Sequence, residues 1–224
     1  MDRFFDILLS ILALLIFSPL LVPVFIILRL SGEGEIFFLQ DRIGRDGKVF
    51  RLIKFATMLK DSPNIGTGTI TMKNDPRVLP VGKFLRKTKI NELPQLFNIF
   101  LGEMSFIGPR PLTSQNFKSY SAGTQETIKK VRPGLSGVGS IIFREEEEIM
   151  HGASASVDFY HNIIAPYKGS LEEWFVENKS VYIYFLSIFL TMWVIFIPTT
   201  GLAWKLFRDL PAPPPELRKA LKFP

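Results

Sequence analysis

The residues best suited to chemistry lie between Arg86 and Pro111, RKTKINELPQLFNIFLGEMSFIGPRP. An amide beside an acid, Asn91-Glu92, precedes a run in which Leu93, Leu96, Phe97 and Phe100 recur at three- and four-residue spacing, an apolar helical face. Asn91 is expected as the N-cap of that helix, and Glu92 in its first turn, where an anion meets the helix dipole favourably. Pro94 is tolerable there because first-turn amides have no intrahelical partner. Backbone amides at such a terminus also attract phosphate. Downstream, Arg110 sits on a stiff backbone between Pro109 and Pro111, and a guanidinium can grip phosphate with two parallel hydrogen bonds. A second basic turn, Val131-Arg132-Pro133-Gly134, follows about twenty residues later. These types and spacings describe a phosphate-handling site.

The composition suits such ligands. The 224 residues carry 27 Lys+Arg against 21 Asp+Glu, a net charge of +6, which favours anionic headgroups or phosphorylated substrates. No zinc-ligand, RNP or helix-turn-helix signature accompanies the charge, so nucleic acid is not the expected partner. There is no cysteine, which excludes disulfides and thiol chemistry. His151 and His161 are the only histidines and form no HExxH, so zinc is not expected.

The elements that position the site begin with a membrane segment. From Ile7 to Leu28 no residue is charged. At ~1.5 Å rise per residue the run reaches ~33 Å, enough for a hydrocarbon core of ~30 Å. A spanning helix is one reading. A cleaved signal is disfavoured by the length of the run and by Arg29, which follows in place of a small-residue cleavage site. The other reading is a re-entrant hairpin broken at Ser18-Pro19, with Pro23 four residues on, since each proline removes a donor and crowds the preceding turn. Arg3 and Arg29 flank both ends, which fits two ends on one cytoplasmic face. A second apolar run, Val181 to Pro198, can span, lie in the interface or pack on the globular part. Trp204 to Arg208 mixes aromatic and basic residues as a headgroup-level helix does, Pro211 to Pro215 ends regular structure, and the last nine residues read as a basic surface tail.

Between these segments, Ile36 to Leu39 and Val49 to Phe55 read as strands, joined by a turn over 41–48 in which Asp46-Gly47 is the hairpin signal. Residues 61–76 read as a loop and Val81 to Lys87 as a helix. The division expected is a membrane hairpin over 1–30, a globular domain at the membrane interface over 31–180, and an apolar or interfacial helix with a basic tail over 181–224. The fold class expected is mixed α/β, helix-rich and monotopic, with a small sheet and amphipathic interface helices.

Eight stretches in order resemble the bacterial sugar transferases, the monotopic polyprenol-phosphate phosphoglycosyl transferases. They are Phe17-Ser18-Pro19, Arg42-Ile43-Gly44 with Gly47-Lys48-Val49-Phe50, Lys54-Phe55-Ala56-Thr57-Met58, Asn74-Asp75-Pro76-Arg77, Leu85-Arg86-Lys87-Thr88, Glu92-Leu93-Pro94-Gln95-Leu96, Gly108-Pro109-Arg110-Pro111 and Val131-Arg132-Pro133-Gly134. The resemblance implies a re-entrant helix bent at Ser18-Pro19 and a place on the cytoplasmic face of a bacterial inner membrane. It implies transfer of a sugar-1-phosphate from a nucleotide sugar, usually UDP-linked, to polyprenol (undecaprenyl) phosphate, with release of UMP. The product starts a capsule, exopolysaccharide, O-antigen or other surface glycan. Mg2+ is the implied cofactor; UDP-sugar, polyprenol phosphate and membrane lipids are the implied partners.

In the family an aspartate of an Asp-Glu dyad attacks the sugar-bearing phosphorus. Carried over by position, Glu92 is the dyad's glutamate and Asn91 stands where the nucleophile belongs, so these two are the catalytic and metal-binding candidates. An amide is a poor nucleophile. Three readings stay open: an inactive variant, a branch in which Glu92 takes the nucleophile or metal role, and a fold kept for binding only. Lys54, Arg86, Arg110 and Arg132 are the implied phosphate-binding residues. A solvated strand-end lysine and arginines that brace carbonyls are the plainer alternatives. Glu145 to Glu148 reads as a solvated face or as a sugar or metal contact. The chain departs from the family after Gly134, where Leu135 to Arg144 replaces the familiar Thr-Gly-Trp-Ala-Gln-Val-Asn-Gly, so the sugar does not carry over. Val181 to Pro198 is also more apolar than the family's amphipathic helices. No residue pattern sets an oligomeric state.

Overall fold

The computed structural model describes residues 2–65, 75–149, 157–197 and 200–224. Asn74 of the fourth motif, His151, Pro198 and most of the expected 61–76 loop lie outside the described residues. The chain is helix-rich and mixed α/β. Helix α1 (Asp2–Leu30) is followed by β1 (Phe37–Ile43), β2 (Val49–Phe55), α2 (Pro80–Lys87), α3 (Gln95–Leu101) and β3 (Ser105–Ile107). Then come α4 (Ser114–Phe117), α5 (Ala122–Ile128), β4 (Gly134–Ser136), α6 (Val138–Ile142), α7 (Glu146–Ile149) and α8 (Val157–Phe159). A π-helical turn over Tyr160–Ile164 leads into α9 (Ala165–Glu177), and α10 (Val181–Phe196), α11 (Gly201–Leu206) and α12 (Pro215–Arg218) close the chain.

Helical hydrogen bonding in α1 continues through both prolines, so the segment expected as two half-helices is one helical element. The reason is local. Pro19 has no N–H for the Leu15 carbonyl four residues back, and the Ser18 hydroxyl donates to that carbonyl instead, at 2.8 Å. Helix α1 packs against the rest of the protein through its two end segments, while residues 15–20 between them are all exposed. Arg3 donates to the Ile99 and Phe100 carbonyls at the end of α3. The buried Asp6 carboxylate accepts from Ser105 Oγ, Phe106 N and Tyr184 Oη at 2.9 to 3.0 Å. At the other end Leu21, Val24 and Leu28 bury against Phe55 and Leu85. The opposite face, including Leu8, Ile11, Leu12, Leu15 and Ile16, is exposed.

The β1–β2 hairpin pairs Phe37 with Phe55 and Ile43 with Val49. Its first strand is longer than the four residues expected, because pairing continues to Ile43 and the turn contracts to a few residues around Asp46 and Gly47, both at positive φ. A second, parallel pair of three-residue strands, β3 and β4, joins Ser105 to Gly134 and Ile107 to Ser136.

The second apolar run forms α10. At 16 residues and ~1.5 Å each it is short of a bilayer core, and α1 is the one described helix long and apolar enough to cross. Ile183, Tyr184, Ser187, Leu190 and Val194 of α10 are buried, while Tyr182, Phe185, Phe189, Met192 and Phe196 form an exposed apolar stripe. The same core holds Leu171 and Phe175 of α9, Phe207, and Leu217 and Leu221 near the C-terminus. The last residues are therefore not a loose surface tail: Leu221 is buried and its carbonyl accepts from Thr200 Oγ1 and Trp204 Nε1. Regular structure resumes at Pro215, which can start a helix because a first-turn position needs no amide. Residues 181–224 share the main core with the globular part.

Candidate active site

The Asn91-Glu92 segment takes its shape from Lys89, whose φ of 61° turns the chain into a 3-10 turn over Ile90–Glu92. Pro94 then precedes α3, and no side chain caps it. Helical geometry starts before Asn91, so Asn91 is inside the turn and is not the N-cap expected. Its side chain is buried and its Oδ1 has no protein partner. Asn91 and Glu92 both face a cavity of about 1160 Å3.

Lys54 reaches the same cavity from the end of β2, placing Nζ 3.8 Å from Glu92 Oε1. Asn98 fixes this approach: its Oδ1 accepts from Ile53 N, and its Nδ2 donates to the Arg51 carbonyl at 2.8 Å, tying α3 to the free edge of β2. The Lys54 ammonium is lowered to about 7: burial pushes it down most, Glu92 opposes this, and Arg110, Arg42 and Arg86 add to it. Burial by itself raises Glu92, but Lys54 and then Arg110, Lys89 and Arg86 outweigh it and hold the carboxyl below its ordinary range. Arg42, absent from the expected site, also lines the cavity. It donates to the Pro111 carbonyl at 2.9 Å, and burial, then Arg110, push it down to about 10, still charged at neutral pH.

Arg110 extends into the cavity from the Gly108–Pro111 turn. That turn crosses the Arg132-Pro133-Gly134 backbone closely: a Cβ on Gly108 would stand 2.4 Å from the Arg132 carbonyl oxygen, and one on Gly134 would stand 2.1 Å from Gly108 N. The crossing explains glycine in both basic turns. Arg86 lines the cavity from α2 and lies 3.8 Å from Met58 Sδ.

Arg132 is placed elsewhere. It is not among the cavity-lining residues, and its Nε donates to the Gly102 carbonyl at 2.7 Å. With Arg3 it caps the C-terminal end of α3, where cations meet the helix dipole favourably. Lys54, Arg86, Asn91, Glu92 and Arg110 are thus brought together, and Arg132 supports the helix behind them.

The acidic run divides. Glu146 lines the cavity and accepts from buried Lys168 Nζ with both oxygens at 2.8 Å; burial raises Glu146, but Lys168 outweighs it and lowers the carboxyl. Glu145 pairs with Lys222 at 3.5 Å. The side chains of Glu147 and Glu148 lie outside the described ones. His161 bonds Ser119 Oγ through Nδ1, and no group of three or more His, Asp or Glu side chains that could hold a metal occurs among the described residues. Asp75 does more than start a turn: its carboxylate holds buried Arg77, which also donates to the Ser62 and Ile65 carbonyls.

Apolar side chains also line the cavity, among them Phe17 and Leu20 from α1 and Ile188, Met192 and Ile195 from α10. Cationic and apolar side chains lining one cavity suit a ligand with a phosphate and a hydrocarbon tail.

A family model described as bacterial sugar transferase matches residues 1–198. The chain therefore belongs to the bacterial sugar transferase family and is an enzyme of the phosphoglycosyl transferase class. It is 37% identical over 158 residues to the exopolysaccharide production protein ExoY of Sinorhizobium fredii, covering 64% of this chain and 70% of that protein. It is 38% identical over 157 residues to the UDP-glucose:undecaprenyl-phosphate glucose-1-phosphate transferase of Escherichia coli, covering 69% of this chain and 34% of that one. An uncharacterized sugar transferase of Haemophilus influenzae is 31% identical over 209 residues, 87% of this chain and 41% of its own length. The family and the apolar outer face of α1 together indicate membrane association.

Proposed function

We propose that this chain transfers a sugar-1-phosphate from a UDP-sugar to polyprenol phosphate and releases UMP, at the cytoplasmic face of a bacterial inner membrane. The product would initiate a surface glycan. The observation that carries the reading is the cavity that Lys54, Arg86 and Arg110 line together with Asn91-Glu92 and with apolar side chains of α1 and α10. Its volume exceeds what one drug-sized ligand fills, which supports two substrates sharing it.

Lys54 and Arg110 hold the diphosphate. With an amide at position 91, Glu92 is the carboxylate at hand as nucleophile. Its oxygen forms a bond to the sugar-bearing phosphorus as the bond to the UMP oxygen breaks. A phosphate oxygen of polyprenol phosphate then displaces Glu92 from that phosphorus, which returns the carboxylate. Lys54 keeps Glu92 ionised for this role. Mg2+ fits the donors present: Asn91 Oδ1, buried without a partner, and the Glu92 carboxylate are the oxygens that would hold it. Bound there, the ion would neutralise diphosphate charge.

The membrane placement we propose is re-entrant and monotopic. Contacts of Arg3 and Asp6 at one end of α1, and of Val24 and Leu28 at the other, with one globular body support it. Single cysteines at positions 2 and 32 should label from the same side; opposite sides would restore a spanning helix.

A second reading is favoured by Asn91 itself: a membrane-docked protein that binds UDP-sugar or polyprenol phosphate without turnover, or a variant with impaired catalysis. UMP release from a panel of UDP-sugars, with and without polyprenol phosphate, separates the readings. UDP-sugar binding with no UMP from any sugar supports the binder and rejects the transferase.

A further inference from the structure

Glu172 belongs to none of the motifs and does not line the cavity. It lies on α9, 2% exposed. Its Oε1 accepts from the Arg110 amide across a long 3.4 Å, and its Oε2 is buried with no protein partner. That amide is the only backbone donor between Pro109 and Pro111, since proline has none. One glycine makes room for the carboxylate: a Cβ on Gly139 would stand 2.5 Å from Oε1, whereas the close neighbour of Gly137 is the Gly108 carbonyl oxygen, 2.2 Å from where its Cβ would stand. The other side of the same turn is fixed by Gly108 N on the Ser136 carbonyl and Gly134 N on the Pro109 carbonyl, at 3.0 and 2.8 Å.

A buried carboxylate with one oxygen unpartnered is destabilising, and an apolar side chain would pack this position as well. Its charge is answered by Arg110 from the turn and by Lys168, four residues earlier on α9. Lys168 is itself engaged by Glu146. Tyr120 adds a buried phenol whose ionisation Glu172 opposes. The carboxylate thus sits behind Arg110, facing the one backbone group through which the Pro-Arg-Pro turn can be held from that side.

We propose that Glu172 is the positioning residue for Arg110: its carboxylate takes the single amide of the turn and so sets the direction in which the guanidinium enters the cavity. The inference rests on the reading of Arg110 as the group that grips phosphate. Glu172 touches no substrate and acts through Arg110.

The test is titration of UDP into the full chain in detergent, for the unmodified protein, Glu172→Met, Arg110→Ala and the double variant. Hydrogen exchange of peptides covering 108–112 is followed in parallel. Met is close to Glu in length and has no oxygen to accept from the Arg110 amide, whereas Gln would keep one. Gly139→Ala is the second route, because its methyl group displaces the carboxylate. Glu172→Met is expected to weaken UDP roughly tenfold, the scale of one charge-assisted hydrogen bond, and to cause no further loss once Arg110 is alanine. The Arg110 amide should exchange faster in both Glu172→Met and Gly139→Ala. Unchanged UDP affinity in Glu172→Met, or an equal loss in the Arg110→Ala background, overturns the proposal. If the unmodified chain binds no UDP, the phosphate reading of the cavity fails, and amide exchange decides by itself: unchanged protection of 108–112 in Glu172→Met overturns the positioning role.

Discussion

Lys54 Nζ lies 3.8 Å from Glu92 Oε1, and both side chains line the cavity, each about one-fifth exposed. The pair spans β2 and the 3-10 turn before α3, and Asn98 holds those elements together. It keeps Glu92 ionised but leaves the lysine itself easily discharged, since burial and three arginines push it down to about 7.

A pH dependence follows from Lys54. Its folded value lies below the ordinary 10.5, so between pH 7 and 10.5 the folded protein carries less of its charge than the unfolded chain does. Diphosphate binding should therefore weaken as pH rises from 7 to 9. Lys54→Arg, which cannot discharge there, should remove that decline. Calorimetric titration of UDP across this range checks it, and a decline of equal size in Lys54→Arg would assign the titration to another group.

The Ser18 hydroxyl and Pro19 form a compensating pair in α1. Ser18→Ala leaves the Leu15 carbonyl without a partner in an apolar setting and should cost about 1–2 kcal/mol. Pro19→Ala restores the amide, so Ser18→Ala made on top of it should cost little. Thermal unfolding of the single and double variants measures the coupling; equal costs in both backgrounds would show that the hydroxyl is not replacing the proline's missing donor.

Glu172 gives a stability test that needs no activity. Burial raises its carboxyl from 4.5 to about 7, so the folded state holds a proton that the unfolded chain releases. The stability tied to that proton is fully present below pH 4.5 and is lost as pH rises toward 7. Glu172→Gln should gain on the unmodified chain with rising pH, by roughly 3 kcal/mol between pH 4.5 and 8. A difference in Tm that stays constant from pH 5 to 8 would show that Glu172 titrates normally.

The sequence foretold the parts governed by local chemistry. Asp46-Gly47 marked the hairpin, and the apolar spacing from Leu93 to Phe100 marked α3. What it did not foretell depends on distant partners. The β3–β4 pair has only three residues in each strand and joins segments far apart in the chain, so no alternation could reveal it. Glu172 and Lys168 lie in a helix with no distinguishing motif, and their roles follow from packing against Arg110 and Glu146. Asn91 was expected to cap a helix because Asn commonly does, but positive φ at Lys89 started helical geometry earlier. Arg132 shares a motif type with Arg110 yet turns toward the end of α3, a choice made by where that helix stops.

The most direct test concerns Glu92. UMP release from UDP-sugars with polyprenol phosphate and Mg2+ is measured for the unmodified chain, Asn91→Asp and Glu92→Gln. The unmodified chain should release UMP, and Glu92→Gln should fall at least about a hundredfold, the scale of removing a group essential to phosphoryl transfer. If Glu92→Gln retains most of the activity, the carboxylate is not the reacting group and the site is wrongly assigned. A gain of orders of magnitude in Asn91→Asp would show that the aspartate is the nucleophile this chain lacks.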